Sequence, residues 1–348
     1  MARPDLGRTW AGPCHPRATR CIEFTRGPSP ARPSPVPPLV IPALVNDAAG
    51  TAAQAREALE HAGEFTVRDV PPDEIEGVLR EELKAHPKRI LVAGGDGTIG
   101  TAAALLQGTN TELAIFPGGT LNHFARDHGI PTDPAEAALC ASCGIALKAD
   151  VAFANEHLFL NTSAVGAYVT YVRLRERIEK YFGYRIASVV AAIRLFFRLR
   201  PIRVTLEVEG RKHEYDTPLV FIGVGERELK APSFGSRIRG GEHCLHVIVV
   251  RERRAARLLI VAIDAARRGL DSVARTPELD AYKVTRCAIT LRGRTQHVAL
   301  DGELVRVKSP VAYELHEGAL TVVVPEAKGA EPAIAIAGAQ ATPVEGAA

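Results

Sequence analysis

The segment "RILVAGGDGTIG", residues 89 to 100, constrains the fold of this chain more than any other. Four apolar residues, Ile90 to Ala93, run directly into Gly94-Gly95-Asp96-Gly97-Thr98, and a helix-forming "TIGTAAALLQG" follows. The same pace holds on either side. "LVIPALVN", "GTAAQAREALEHAG", "RILVAGG", "TIGTAAALLQG" and "ELAIFPGG" alternate short apolar runs with helical stretches between residues 39 and 150. Strand and helix in strict alternation predict an α/β unit with a largely parallel sheet.

From residue 151 the pattern changes. "HLFLNTSAV", "RVTLEVEG", "TPLVFIGVG", "CLHVIVV", "KVTRCAITL", "VAYEL" and "ALTVVVP" read as strands. In "RVTLEVE", Val204, Leu206 and Val208 alternate onto one face. An antiparallel β-sandwich is expected over 151–325, interrupted by helical stretches at roughly 168–200 and 252–270. The predicted fold class is therefore α/β + β, an α/β domain over 39–150 followed by the sandwich. Residues 1–38 hold nine prolines and six arginines. They cannot bury enough apolar surface to offset their ordering entropy, so disorder is expected there and in the Ala/Gly/Pro-rich tail, 326–348.

A length of 348 residues suggests two domains. A net charge of +3 gives no global steering toward nucleic acid, and no nucleic-acid module is visible. No apolar run reaches the roughly 18 residues of a membrane span. The basic N-terminus lacks a following apolar h-region, so no signal peptide is expected. Six cysteines make too sparse a set for a disulfide scaffold. The one C-x-x-C pair, Cys140 and Cys143, has no second pair to complete a zinc site and is expected to pack on a helix. A reducing, cytoplasmic setting follows.

Three stretches can carry chemistry. In the first, Gly94, Gly95 and Gly97 allow positive φ and close ligand approach, and free N–H groups at the helix start favour a phosphate. Asp96 beside a phosphate implies Mg²⁺ or a hydroxyl partner. A ligand-free strand–helix turn is the alternative. The second, "FPGGTLNHFARD", puts Gly118, Gly119 and Thr120 after another apolar strand, at the sheet edge where open α/β sheets bind ligands. Thr120 and Asn122 can hydrogen-bond a nucleotide. The third, "VALDGELVRV", sets Asp301-Gly302-Glu303 between two strands, where Asp-Gly also suits an ordinary hairpin.

Together "GGDGT", "PGGTLNHFAR" and the late "DGE" resemble the diacylglycerol kinase catalytic-domain family of bacterial lipid kinases, over about residues 38 to 325. "VNDAAGTA" resembles that family's first strand and Asn-Pro-x-x-Gly loop, with Asp47 in place of proline. "LKADVAFAN" resembles its aspartate-bearing strand at the domain junction, here Asp150. The resemblance implies a Rossmann-like nucleotide domain, a C-terminal β-sandwich, and an active site in the cleft between them. It implies ATP, Mg²⁺ and phosphorylation of a lipid hydroxyl, with diacylglycerol the first candidate. By carry-over, Asn46, Gly94 to Thr98 and Gly118 to Asn122 hold the nucleotide, Asp301 is the base, Glu303 supports it, and Asp96 and Asp150 are metal-linked. Where the family often has Asn-Asp, this chain has Asn122-His123, with Asp127 as a stand-in. The family's Asp-Asp-Gly metal site is not carried over, because "GGEHCLHV" offers only Glu242 in its place.

A kinase for a membrane lipid must dock on the bilayer. Residues 168–203 hold nine Arg/Lys and two Glu. Arg173, Arg194, Arg198 and Arg200 lie among Tyr181, Phe182, Phe196 and Phe197, a composition that suits anionic headgroups. Peripheral association at the inner membrane face is expected, without a transmembrane segment. Helices packed on the sandwich with solvated basic faces are the plain alternative. Two other functions remain open from the sequence: an NAD kinase-like small-molecule kinase, and a catalytically weak lipid- or nucleotide-binding regulator, which His123 keeps in view.

Overall fold

The computed structural model describes residues 40–175, 177–178, 190, 201–228, 237–238, 240–251 and 279–326. The segment 1–38, nearly all of the tail, the stretch 252–270 and most of the basic stretch, including Arg194, Arg198 and Arg200, lie outside the described residues.

The N-terminal half alternates as expected. β1 (Ile41–Asn46), α1 (Ala52–Ala62), β2 (Phe65–Val70), α2 (Ile75–Leu83), β3 (Arg89–Gly94), α3 (Asp96–Leu106), β4 (Glu112–Pro117), α4 (His123–Asp127) and α5 (Pro134–Cys143) follow one another. β1 pairs in parallel with both β2 and β3, and β3 in parallel with β4. All six residues of β3 are buried, as a central strand covered on both faces requires. β2 and α2 escape the apolar-run reading because "FTVRDV" is a half-buried edge strand with only one fully buried residue, Val70.

Asp133 accepts from the N–H groups of Ala135 and Glu136 and Pro134 takes the first helical position, which starts α5. Arg89 stops it: its guanidinium donates to the carbonyls of Ala141, Ser142 and Gly144 and to Glu112 at 2.8 Å. Cys140 is buried in this helix, and Cys143 is exposed at its end; both are free thiols.

The second half contributes β5 (Ile145–Ala154), β6 (His157–Phe159), β7 (Thr162–Gly166), β8 (Ile202–Val208), β9 (Arg211–Thr217), β10 (Leu219–Val224), β11 (Leu245–Val250), β12 (Leu279–Val284), β13 (Arg286–Leu291), β14 (Thr295–Leu300), β15 (Glu303–Lys308) and β16 (Val311–Val324). Six of these form an antiparallel sheet in the order β12-β11-β10-β7-β14-β15. The others extend the N-terminal sheet to β2-β1-β3-β4-β16-β13-β8-β9. The α/β + β class holds, with one addition: the sandwich is made by packing the six-stranded sheet on the far half of the first sheet.

β16 is the seam. Val311, Tyr313 and Leu315 face the sandwich core, whereas Leu320, Val322 and Val324 face the core of the α/β half. A register shift between His316 and Leu320 lets one strand serve both. Gly318 sits inside that shift at φ +57°, a conformation open to glycine, and its N–H donates to the buried Asp150 carboxylate at 3.0 Å.

Candidate functional site

The two glycine turns touch each other. A Cβ on Gly119 would lie 2.8 Å from the Gly95 Cα, and one on Gly118 would lie 3.0 Å from the Gly94 Cα. The Gly118 N–H donates to the Gly94 carbonyl at 2.8 Å. None of Gly94, Gly95, Gly97, Gly118 or Gly119 has positive φ. The expectation of left-handed backbone there is thus corrected: Gly94, Gly95, Gly118 and Gly119 are glycine because two main chains, and the Thr98 side chain over Gly94, leave little room for a Cβ, whereas a Cβ on Gly97 would meet only the Glu303 side chain. Thr98 Oγ1 in turn accepts from Asn46 Nδ2 at 2.9 Å, which ties the end of β1 to the first turn of α3.

α3 begins at Asp96 with extended Gly95 as N-cap and no side-chain cap. Its first N–H groups are therefore available to an anion. Asp96 Oδ1 takes a long 3.4 Å contact from the Phe124 N–H. Asn122 is left-handed at φ 48° and spends its amide within its own turn, accepting from the Gly119 N–H at 2.8 Å and donating to the Gly119 carbonyl at 2.7 Å. Its place in the turn is as a buttress, and Thr120 is exposed beside it. Thr51, which the sequence reading passed over, carries a buried hydroxyl with no hydrogen-bond partner, 3.0 Å from where a Gly118 Cβ would be.

The Asp-Gly-Glu turn reaches this place from the other sheet. Leu300 pairs with Glu303, so Asp301-Gly302 is a two-residue hairpin loop, both residues at positive φ. The hairpin alternative is thus correct for the backbone. The side chains do more. Asp301 Oδ1 accepts from the N–H groups of Asn161 and Thr162 at 2.8 Å each, and Oδ2 from Leu160 N–H at 2.7 Å. Burial pushes the Asp301 carboxyl up from its ordinary range, opposed by those three N–H groups and reinforced by the Asp96 charge. Glu303 is exposed, and its Oε1 lies 2.9 Å from the position of a Gly97 Cβ. Asp96, Gly97, Asp301 and Glu303, some 200 residues apart in sequence, are therefore brought close together.

Behind it lies a charged junction that sequence reasoning missed. Arg227 is 3% exposed. It donates to Asp127 Oδ2 at 2.7 Å and to the carbonyls of Asn161 and Val224 at 2.8 Å. Gly223 leaves the room: a Cβ there would stand 2.5 Å from the Arg227 Cγ. Asp127 is accordingly held by Arg227 and does not stand in for the aspartate missing at His123, which is exposed. Asp150, read from the resemblance as metal-linked, is fully buried and bound by Arg237, by His243 Nδ1 at 2.9 Å and by the Gly318 N–H. The chain's own Arg237, with the His243 ring and a backbone N–H, already occupies the carboxylate. Lys283 likewise bridges Glu226 and Glu242 at 2.7 and 2.8 Å. Nothing in the local sequence flagged Arg227; the only signal was an arginine following the apolar strand "LVFIGVG".

Residues 43–154 match the model of the diacylglycerol kinase catalytic domain. Over that segment the chain is similar to the diacylglycerol kinase catalytic domain. A Pseudomonas putida protein named "Probable lipid kinase YegS-like" is 33% identical over 153 residues, covering 42% of this chain and 50% of that protein. The diacylglycerol kinase of Bacillus subtilis is 28% identical over 187 residues, covering 51% and 60%. The chain spans about half the length of the curated relatives it matches. A solved diacylglycerol kinase structure from Bacillus anthracis superimposes with a TM-score of 0.58 at 19% identity, covering 82% of this chain and 97% of that one. A second Bacillus anthracis structure reaches a TM-score of 0.64 at 23% identity, with the same coverage. The likeness extends the two-sheet diacylglycerol kinase fold beyond the matched segment. Among the described residues no helix is long and apolar enough to cross a membrane.

Proposed function

We propose that this chain transfers the γ-phosphate of ATP to the hydroxyl of a membrane lipid, with diacylglycerol the first candidate acceptor. The observation that carries the reading is the meeting of Glu303 with Gly97, which brings the Asp-Gly-Glu hairpin of one sheet onto the glycine turn of the other. Phosphoryl transfer needs positioning and charge neutralisation more than covalent chemistry, plus a base for the incoming hydroxyl. In this proposal residues 39–150 bind the nucleotide and 151–325 the lipid. The uncapped start of α3 takes the phosphates, and the orphaned Thr51 hydroxyl supplies a hydrogen bond beside Gly118. Asn46 and Asn122 shape the two turns from behind.

Asp301 is the proposed base. A carboxylate has four acceptor positions. Three are used by backbone N–H groups, which leaves one, on Oδ2, for the acceptor hydroxyl. Mg²⁺ takes oxygen ligands and commonly keeps one or two protein carboxylates alongside waters and phosphate oxygens. Asp96 and Glu303 supply that donor set at the phosphate turn, and Glu303 has no ion-pair partner among the described residues. When bound there, Mg²⁺ would neutralise phosphate charge. Asp150, already paired, is left out of this set. In this proposal the enzyme works from the membrane surface, on the cytoplasmic side.

That three of the four Asp301 acceptor positions are already used favours a second reading, a binder of nucleotide and lipid with little turnover. Incubating the full chain with γ-labelled ATP, Mg²⁺ and mixed micelles of diacylglycerol separates the two. Label in the lipid is the expected result. ATP binding without transfer to any of diacylglycerol, phosphatidylglycerol, ceramide or a sphingoid base would install the regulator, and label in NAD would install a small-molecule kinase.

A further inference from the structure

β7 and β14 hold Asp301 at one end and an open cavity at the other. β7 starts at Thr162, whose N–H binds the Asp301 carboxylate, and ends at Gly166, which lines the cavity. β14 ends at Leu300, next to Asp301, and begins beside Gln296 and His297, which also line it. Four strand steps separate His297 from Asp301, about 13 Å at ~3.3 Å each. The cavity is thus a place apart from the phosphate turns, and its volume is about 1050 Å³.

Its walls divide by chemistry. Val165, Val169, Ile202 and Leu291 give an apolar side, and Arg173, Arg203 and Arg292 a cationic one. Asp216, directly across from Arg203 in the β8–β9 ladder, is the lining carboxylate among the described residues, so three guanidiniums face one carboxylate. None of the three arginines makes an ion pair among the described residues. The charge of Arg173 is felt next door. His297 is held below its ordinary value by burial and then by the charges of Arg173 and Arg306. Like charges collected around a hollow repel one another and are stabilised by an anion that enters it. Guanidinium groups bind phosphate oxygens in paired hydrogen bonds.

We infer that this cavity binds the headgroup of an anionic phospholipid, phosphate against Arg173, Arg203 and Arg292, with the first methylenes of its chains on Ile202. Val165, Val169 and Leu291 are already buried, so the apolar contact left for a lipid chain is the part-exposed Ile202, which a free phosphate would not use. The lipid held here is not the phosphoryl acceptor, because even the nearest lining residues, His297 and Val165, are three to four strand steps, about 10–13 Å, from the groups around Asp301. It is a second lipid, and it fixes this end of the sandwich to a negatively charged bilayer. The inference adds to the proposed kinase function without depending on turnover.

The test is sedimentation of the full-length chain at low salt with phosphatidylcholine vesicles, with and without phosphatidic acid, for wild type and for R203E/R292E. Basic residues at an anionic surface contribute about 1 kcal/mol each, so binding to the phosphatidic acid vesicles should fall by about tenfold or more. Soluble dihexanoyl phosphatidic acid should compete for wild type, and inorganic phosphate should not. Unchanged sedimentation of the variant overturns the proposal, as does equal competition by inorganic phosphate, which would make the cavity a simple anion site. Both arginines are exposed, and an R203Q/R292Q pair with the wild-type urea midpoint carries the test should the reversed pair fail to fold. Phosphate transfer in neutral detergent micelles should be equal in wild type and variant. Absence of transfer with intact vesicle binding would sink the kinase reading and leave this one standing.

Discussion

Asp301→Asn separates structure from chemistry at the candidate base. The turn itself accepts the change, since Asn adopts the left-handed conformation that Asp301 holds at φ 47° as readily as Asp does. The cost falls on the acceptor role. Two N–H groups donate to Oδ1 and one to Oδ2. An amide replaces one oxygen by NH₂, so whichever way it is placed at least one backbone donor faces another donor. With Oδ1 kept on Asn161 and Thr162, the Leu160 N–H loses its partner, a buried unsatisfied group worth about 1–3 kcal/mol. The two remaining bonds lose charge assistance, about 1 kcal/mol each, while relief of the buried charge returns part of that. A net loss of roughly 2–4 kcal/mol is expected, read as a lower urea midpoint at unchanged m-value. On the protein that remains folded, loss of the base should lower kcat by about 10² to 10⁴ with ATP binding nearly intact. An unchanged midpoint refutes the hydrogen-bond reasoning. Near-normal kcat in the folded fraction refutes the base.

Other substitutions probe the rest of the site. Gly119→Ala places a methyl 2.8 Å from the Gly95 backbone and should cost about 1–3 kcal/mol together with nucleotide binding, whereas Gly97→Ala meets only the end of the Glu303 side chain and should leave the melting temperature nearly unchanged while depressing turnover; equal stability losses would refute the turn-on-turn packing. Arg227→Met strands the Asp127 carboxylate and should cost about 3–5 kcal/mol, with partial rescue by adding Asp127→Asn; an additive double mutant would show that the pair is not coupled. Burial holds His128 and His246 below their ordinary 6.5, and Nδ1 of His246 accepts from the Arg227 N–H. Their folded values are depressed, so the unfolded chain takes up more protons below pH 6.5, and stability should be full above that pH and fall as the pH drops beneath it. The fall should be shallower in His246→Gln, and a pH-independent urea midpoint between neutrality and pH 5 would overturn the assignment.

Much of the fold was legible because local sequence carries it. The run Ile90 to Ala93 between helix formers reads as a buried parallel strand, and "RVTLEVE" reads as one sandwich face, since periodicity reports which side of an element is dry. β2 was invisible for the same reason: with a single fully buried residue it has little apolar signal to show. The site was legible in its parts and not in their reasons. Each glycine turn could be seen. What each glycine is for could not, because the atom it makes room for belongs to the other turn.

The sequence by itself determined the α/β-then-β order, the two strand–glycine–helix turns and the Asp-Gly hairpin, all of which depend on residues within a few positions of one another. Only the tertiary structure decided that Glu303 lies against Gly97, that Asp301 is held by the N–H groups of residues 160–162, and that Arg227 rather than a metal neutralises Asp127. It also decided that β16 belongs to both cores, since its register shift between His316 and Leu320 has meaning only beside β5 and the carboxylate of Asp150. These are long-range pairings, chosen by burial and charge among groups far apart in the chain, and no local propensity encodes the partner.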